Sequence, residues 1–255
     1  MSQPFLTHTI LWLKLSMFCR PLLFAFLCGT PFLLQAADLK VLVLEGDSMP
    51  WAEVSNNQLS AGLYFDLGQA LAVQMGRKAQ FVLLPRKRLV HAIESGGADV
   101  LCNYLPVWLP GDFDWSTPFI PNAELLISNQ RANKSASLDG FANVRIGTVL
   151  GYVYSDLDQA LGRRFLRDDA PSMRHNLRKM TAGRVQHMVI NQFELEYLQK
   201  QGQFKMPLHP FMMLRSFKGQ CAVSRSGQVT VAEVNKAIVA LQAQHVLKKL
   251  IERYQ

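Results

Sequence analysis

The chain has 255 residues, 49% of them hydrophobic and 18% charged, with a formal net charge of +8. That length can bury one large core or two modest ones, and the composition excludes a wholly disordered chain. Lysine and arginine are scattered, and no aromatic stripe interleaves them, so the positive balance reads as a solvated basic surface and argues against nucleic-acid binding.

In chain order, Leu22 to Leu34 is an apolar run broken by Gly29 and Pro31, preceded by Arg20 and followed by Gln35-Ala36-Ala37. It is too short and interrupted for a membrane span and has the charge and small residues of a cleavable signal peptide over residues 1–37, cut near Ala36-Ala37. Residues 1–16 are superfluous to such a signal, so Met17 is expected as the true start. Cys28 lacks the small preceding residue that lipidation requires. Lys14 and Arg20 leave with the signal, and the remainder stands at +6. Cys102 and Cys221 then remain as an even pair in an oxidising compartment, where a disulfide and two buried thiols both fit.

Lys40 to Leu44 predicts a buried strand. Gly62 to Leu67 leads into a helix through Met75, with Leu67, Leu71 and Met75 on one face, ended by Gly76. Gln80 to Leu84 is the next strand, and Pro85 opens a helix from Arg86 to Ser95 that Gly96-Gly97 stops. Ala98 to Cys102 and Glu124 to Asn129 are further strands. Alternation of this kind predicts a parallel sheet covered by helices. The order then restarts: strand Val144 to Val149, a helix from Ser155 to about Arg163, a helix from Asn176 to Ala182, strand Val185 to Ile190 and helix Gln192 to Lys200. Cys221 to Ser224 reads as a returning strand. Val231 to Tyr254 closes the chain with apolar stripes through Val234, Ile238 and Leu241, then Val246 and Leu250.

Several marks fall in order: Gly62-x-x-x-Asp66, Pro85-x-x-Arg88, Gly96-x-x-Asp99, Ser116-x-Pro118-Phe119, Ile146-Gly147, Gly151, Gly183-Arg184 and Arg253-Tyr254. With these the chain resembles, over nearly all of residues 39–254, the bacterial extracellular solute-binding proteins of family 3, the amino-acid type of periplasmic binding protein. The resemblance implies an α/β fold of two lobes, each a mostly parallel sheet flanked by helices, joined by two crossover hinge strands near Leu125 to Gln130 and Leu214 to Val223. Residues 38–127 with 220–255 would form lobe one and 128–219 lobe two. Cys221 would then return beside the strand carrying Cys102, which favours a Cys102–Cys221 disulfide.

The resemblance also implies a ligand cleft where strand ends meet across the hinge. After the first strand, Trp51 fits a stacking aromatic, and Tyr64 follows Gly62. Arg88 lies after the second strand, with Arg86 as a second choice there. Asn103 and Tyr104 sit in the turn that contacts ligand, with Trp108 close by. Lobe two would contribute Thr148, Tyr152 and Asn191. Two departures stand out. The family's carboxylate-clamping arginine is absent between Leu105 and Asp114, and Asn191 replaces the aspartate that pairs with an α-ammonium. A charge-assisted hydrogen bond is worth roughly twice a neutral one, so a free α-amino acid is a doubtful ligand.

The histidines have no metal-ligand spacing, and no nucleophile elbow or phosphate loop occurs. No metal and no cofactor are expected. The fold also hosts cyclohexadienyl dehydratases, whose chemistry needs a cleft carboxylate; Glu45 and Glu53 are nearest by position. A ligand-free interaction protein is a third class. The reading favoured is a monomeric, periplasmic, non-enzymatic binder of a small polar solute that serves an ABC permease or a membrane sensor.

Overall fold

The computed structural model describes residues 37–255. The expected signal peptide and start site, apart from Ala37, lie outside the described residues. Strand β1 (Leu39–Leu44) is followed by the short hairpin β2 (Glu53–Ser55) and β3 (Gln58–Ala61), then α1 (Leu63–Gln74), β4 (Ala79–Leu84), α2 (Arg86–Glu94) and β5 (Val100–Tyr104). Next come β6 (Asp114–Trp115), β7 (Ile120–Ser128), β8 (Arg145–Val149), α3 (Ser155–Leu161), β9 (Leu166–Ala170), α4 (Met173–Thr181), β10 (His187–Asn191) and α5 (Gln192–Lys200). The long strand β11 (Met212–Val223) leads to α6 (Val231–Ala243) and α7 (Val246–Tyr254).

The main sheet runs β4-β1-β5-β11-β7-β10-β8-β9, with β6 added on β11. Strands β4, β1 and β5 are mutually parallel, as are β10, β8 and β9. Both parallel sets meet β7 and β11, which pair antiparallel to each other from Met212↔Leu126 to Gly219↔Ile120. These two strands cross between the lobes. Ile120 belongs to the first core with Val41, Leu71 and Ile238, whereas Leu125 and Ile127 join Met188 and Ile190 in the second. The apolar alternation read from the sequence is what packs each lobe, since burying a side chain such as Leu71 is worth roughly 1.5–3 kcal/mol.

Cys102 and Cys221 face each other across β5 and β11 and form a disulfide. Asp99 precedes β5 instead of lying inside it as the sequence suggested. Its fully buried carboxylate accepts hydrogen bonds from the Lys40 and Gln228 amides at 2.7 and 2.6 Å. Four short strands were not anticipated: β2, β3, β6 and β9. The β2–β3 hairpin turns on Asn56 and Asn57, both at positive φ, a conformation asparagine tolerates. Strand β9 is a polar edge strand without alternation. Strand β11 covers the hinge strand expected near Leu214 to Val223 and begins two residues earlier, at Met212. The terminal helical sequence divides at His245, where φ is 56°.

Candidate functional site

A cavity of about 280 Å³ lies between the lobes, at the carboxyl ends of their parallel strands. Lobe one contributes Asp47 and Trp51 after β1, Tyr64 at the start of α1, Arg86 at the start of α2, and Asn103, Tyr104 and Trp108 at and beyond the end of β5. Lobe two contributes Tyr152 after β8, Asn191 at the end of β10 and Glu194 in α5; the crossing strands add Asn122, Glu124 and Phe217.

The lobe-one wall is built by local backbone geometry. Gly62 precedes α1 at φ 108°, and a Cβ there would stand 2.6 Å from the Trp51 carbonyl oxygen. That close approach sets Tyr64 against Trp51, their rings stacked at 5.6 Å. Trp51 also stacks on Phe193 at 4.9 Å, so its ring is engaged by two protein rings and not free to sandwich a ligand. Between Cys102 and Tyr104 the β5–β11 register slips, and Asn103 is the unpaired residue of a β-bulge, at φ 67°. Gly219 makes room for it, since a Cβ at that position would lie 2.5 Å from Asn103 Oδ1. Asn103 Nδ2 donates to the Tyr64 hydroxyl at 3.3 Å.

Arg86 spans the cleft. Its Nε donates to the Gly151 carbonyl at 2.7 Å, its Nη2 donates to the Trp108 carbonyl at 3.5 Å, and its guanidinium lies 4.6 Å from the centre of the Tyr152 ring. Arg88, expected in the site, is instead exposed and absent from the wall; two residues further along α2 is about 200° around a helix. Thr148 is also elsewhere. It is fully buried, its hydroxyl donates to Asp169 at 2.7 Å, and strand alternation turns its neighbour Val149 to the cavity. The structure brings together Trp51, Tyr64, Asn103, Tyr104, Trp108, Tyr152 and Asn191.

Three acids in this wall were missed from the sequence. Burial raises Asp47 to about 7, with Arg86 opposing. Burial raises Glu194 to about 8; the charge of Asp47 adds to the shift, while Trp51 and Arg174 oppose it. Burial raises Glu124 to about 7, partly offset by Arg215. An acid inside an apolar run, as in Ala123-Glu124-Leu125 or Phe193-Glu194-Leu195, was the available signal. Glu53 lies in the exposed β2, and Glu45 is an exposed residue of the cavity wall. Four buried side-chain atoms of wall residues have no hydrogen-bond partner: Asn103 Oδ1, Asn191 Oδ1, Trp108 Nε1 and Asn122 Nδ2. Native interiors seldom leave such groups unmet, and each left so costs roughly 1–3 kcal/mol. Among the described residues, no cluster of three His, Cys, Asp or Glu is placed to hold a metal, and no helix is long and apolar enough to cross a membrane.

Residues 41–255 match the family model described as bacterial extracellular solute-binding proteins, family 3. No curated protein matches the chain by sequence. Among solved structures, the chain is similar to an ancestral arginine-binding protein bound to arginine, with 18% identity, a TM-score of 0.70, and 86% of this chain and 98% of that one covered. It is similar to an amino acid ABC transporter substrate-binding protein from Streptococcus pneumoniae bound to L-arginine, with 17% identity, a TM-score of 0.66, and 86% and 94% covered. It also resembles the VFT2 domain of Bordetella pertussis BvgS, with 17% identity, a TM-score of 0.68, and 86% and 94% covered.

Proposed function

The chain belongs to the bacterial extracellular solute-binding proteins, family 3, and on that premise we propose that it captures a small polar solute in the interlobe cavity and passes it to a membrane partner. The observation that carries this reading is the wall itself. Four residues of its wall, Asn103, Trp108, Asn122 and Asn191, each hold a buried polar atom without a partner, around a cavity of about 280 Å³, the size class of a small organic molecule. Trp51, Tyr64, Asn103, Tyr104, Trp108, Tyr152 and Asn191 are the proposed contacts, with Arg86 in place of Arg88. The crossing strands β7 and β11 are the proposed hinge, on which the lobes would close over ligand. Lobe one would comprise residues 38–127 and 220–255, and lobe two residues 128–219.

The protein would work in the periplasm as a monomer after removal of residues 1–37. The partner is either an ABC permease or a membrane sensor; the Streptococcus pneumoniae neighbour, an amino acid ABC transporter substrate-binding protein, shares the fold. The wall holds carboxyl groups of the kind that dehydratase chemistry needs, Asp47, Glu124 and Glu194, and it is the family match that supports binding. A thermal-shift screen across amino acids, polyamines, organic acids and peptidoglycan fragments tests the reading. One chemical class is expected to raise the melting temperature by several degrees and to alter the fluorescence of Trp51 and Trp108, both in the wall. If no class does either, the solute-binding assignment of this cleft is lost.

A further inference from the structure

We propose that the ligand is an organic amine without a carboxylate, such as a diamine or guanidino-amine, held by Asp47 and Glu194 across the cleft and by Glu124 at the hinge. The proposal rests on the solute-binding reading above and names its ligand class.

The first argument is charge. The cavity wall carries Asp47, Glu124 and Glu194 against Arg86 as its basic residue, with the exposed Glu45 adding to the acidic side. Arg86 is already engaged by the Gly151 and Trp108 carbonyls and by the face of Tyr152. The cation nearest in influence to Glu124 is Arg215, which is committed to Asp156 at 2.7 Å and to the Ser155 hydroxyl at 2.6 Å. A buried carboxylate is stable when paired, so a cation from solution is the missing partner.

The second argument is hydrogen bonding. Asn103 Oδ1 and Asn191 Oδ1 have no partner within the chain; both are buried just behind the wall, so a ligand reaches them only by a rotation of the side-chain amides. An ammonium brings three donors and no acceptor. Tyr64, Tyr104 and Tyr152 line the same space and present rings suited to a cation. The free donors, Trp108 Nε1 and Asn122 Nδ2, are neutral, and the first turn of α4 at Ser172 and Met173 offers only partial charge. They suit a hydroxyl or amide oxygen. They do not balance a full carboxylate among three acids.

Protons report the sign of the ligand. Without ligand, Glu194, raised to about 8, is mostly protonated at neutral pH, and Asp47 and Glu124, raised to about 7, are about half so. The charged and titratable groups acting on Asp47 and Glu194 are Arg86, Arg174, Tyr64, Tyr104 and Tyr152; those acting on Glu124 are Arg215, Asp156 and Tyr154. A bound cation lowers the acids' pKa values and expels protons, whereas a bound anion draws protons in.

Calorimetry of the mature chain at about pH 7.5, in two buffers of different ionisation enthalpy, separates the cases. The probes are agmatine against L-arginine, 1,5-diaminopentane against L-lysine, and succinate. Within each amine pair the members differ only by the carboxylate. At least one amine is expected to bind about tenfold or more tightly than its amino acid, with net proton release. Glu194→Gln and Asp47→Asn should each weaken that amine about tenfold or more while keeping the native circular dichroism spectrum. The amine assignment is overturned if the amino acid of either pair binds as tightly as its amine, if succinate binds with proton uptake, or if neither amine binds at about 1 mM. It is also overturned if both folded variants bind the amine unchanged. In each case solute binding survives provided the wider thermal-shift panel yields a ligand.

Discussion

One strand pair, β5 with β11, carries two opposite kinds of structure a residue apart. At Cys102 and Cys221 the pair is covalently joined, and both residues belong to the buried core of lobe one. At Asn103 the register slips, the backbone turns to φ 67°, and an amide oxygen is left without a partner. The first region has every interaction completed within the chain. The second has strain and an unmet group, the mark of a place whose partner comes from outside. The contrast teaches that neighbouring residues of one strand pair carry separate tasks: the disulfide locks lobe one together, and the bulge beside it sets Asn103 out of the ladder at the cavity wall.

The largest test of that contrast removes the lock. The disulfide closes a loop with a sequence separation of 119 residues. Replacing both cysteines by serine should lower the unfolding free energy by about 4 kcal/mol, read from urea denaturation, while ligand affinity changes by less than about threefold. A large loss of affinity in the still-folded variant would show that the site and the lock are one unit.

The next test uses pH. The Glu194 carboxyl rises from its ordinary 4.5 to about 8 on folding, because burial disfavours the charged form. Between those values the native state holds the proton and the unfolded state does not. Its contribution to stability is therefore full below about pH 4.5 and is lost as pH rises to about 8, by up to about 1.4 kcal/mol per unit. Asp47 and Glu124, both raised to about 7, act in the same direction. Melting temperatures of the empty protein should fall over this interval, and Glu194→Gln should flatten the fall. A rising curve would mean that the acids are paired within the chain.

The smallest test is Asn103→Gly. Glycine accepts positive φ without cost, so stability should hold or rise by up to about 1 kcal/mol, measured by denaturant titration. Binding of the identified ligand should weaken about tenfold, because the free amide oxygen and its link to Tyr64 are gone. Unchanged affinity would place Asn103 among the structural residues.

Much of the fold was legible in the residues. The apolar face Leu67, Leu71 of α1, the run Leu39–Leu44 and the glycines ending α1 and α2 obey local rules of periodicity and chain termination. The family marks supplied the hinge, and with it the pairing of Cys102 with Cys221. The lobe-one aromatics were found because strand ends are where such folds open. The departures at the family's ionic anchors were legible for the same reason, since those positions follow strands directly. The acids proposed in their place lie elsewhere, Glu194 within helix α5 and Glu124 within hinge strand β7. Arg88 and Thr148 were misplaced because the side on which a side chain emerges is decided by helix phase and strand alternation, and a shift of one or two residues reverses it.

Local patterning of apolar residues, turns and caps was thus enough to set most of the long helices and strands, since those depend on neighbours along the chain, and the family marks supplied the two lobes and the cleft between them. The charge of the cleft depends on residues distant in sequence, such as Asp47 and Glu194, lining one cavity. Coulomb and desolvation energies vary with separations in space that no interval along the chain encodes. Only the tertiary structure could decide that a wall missing the family's arginine and aspartate is acidic rather than neutral.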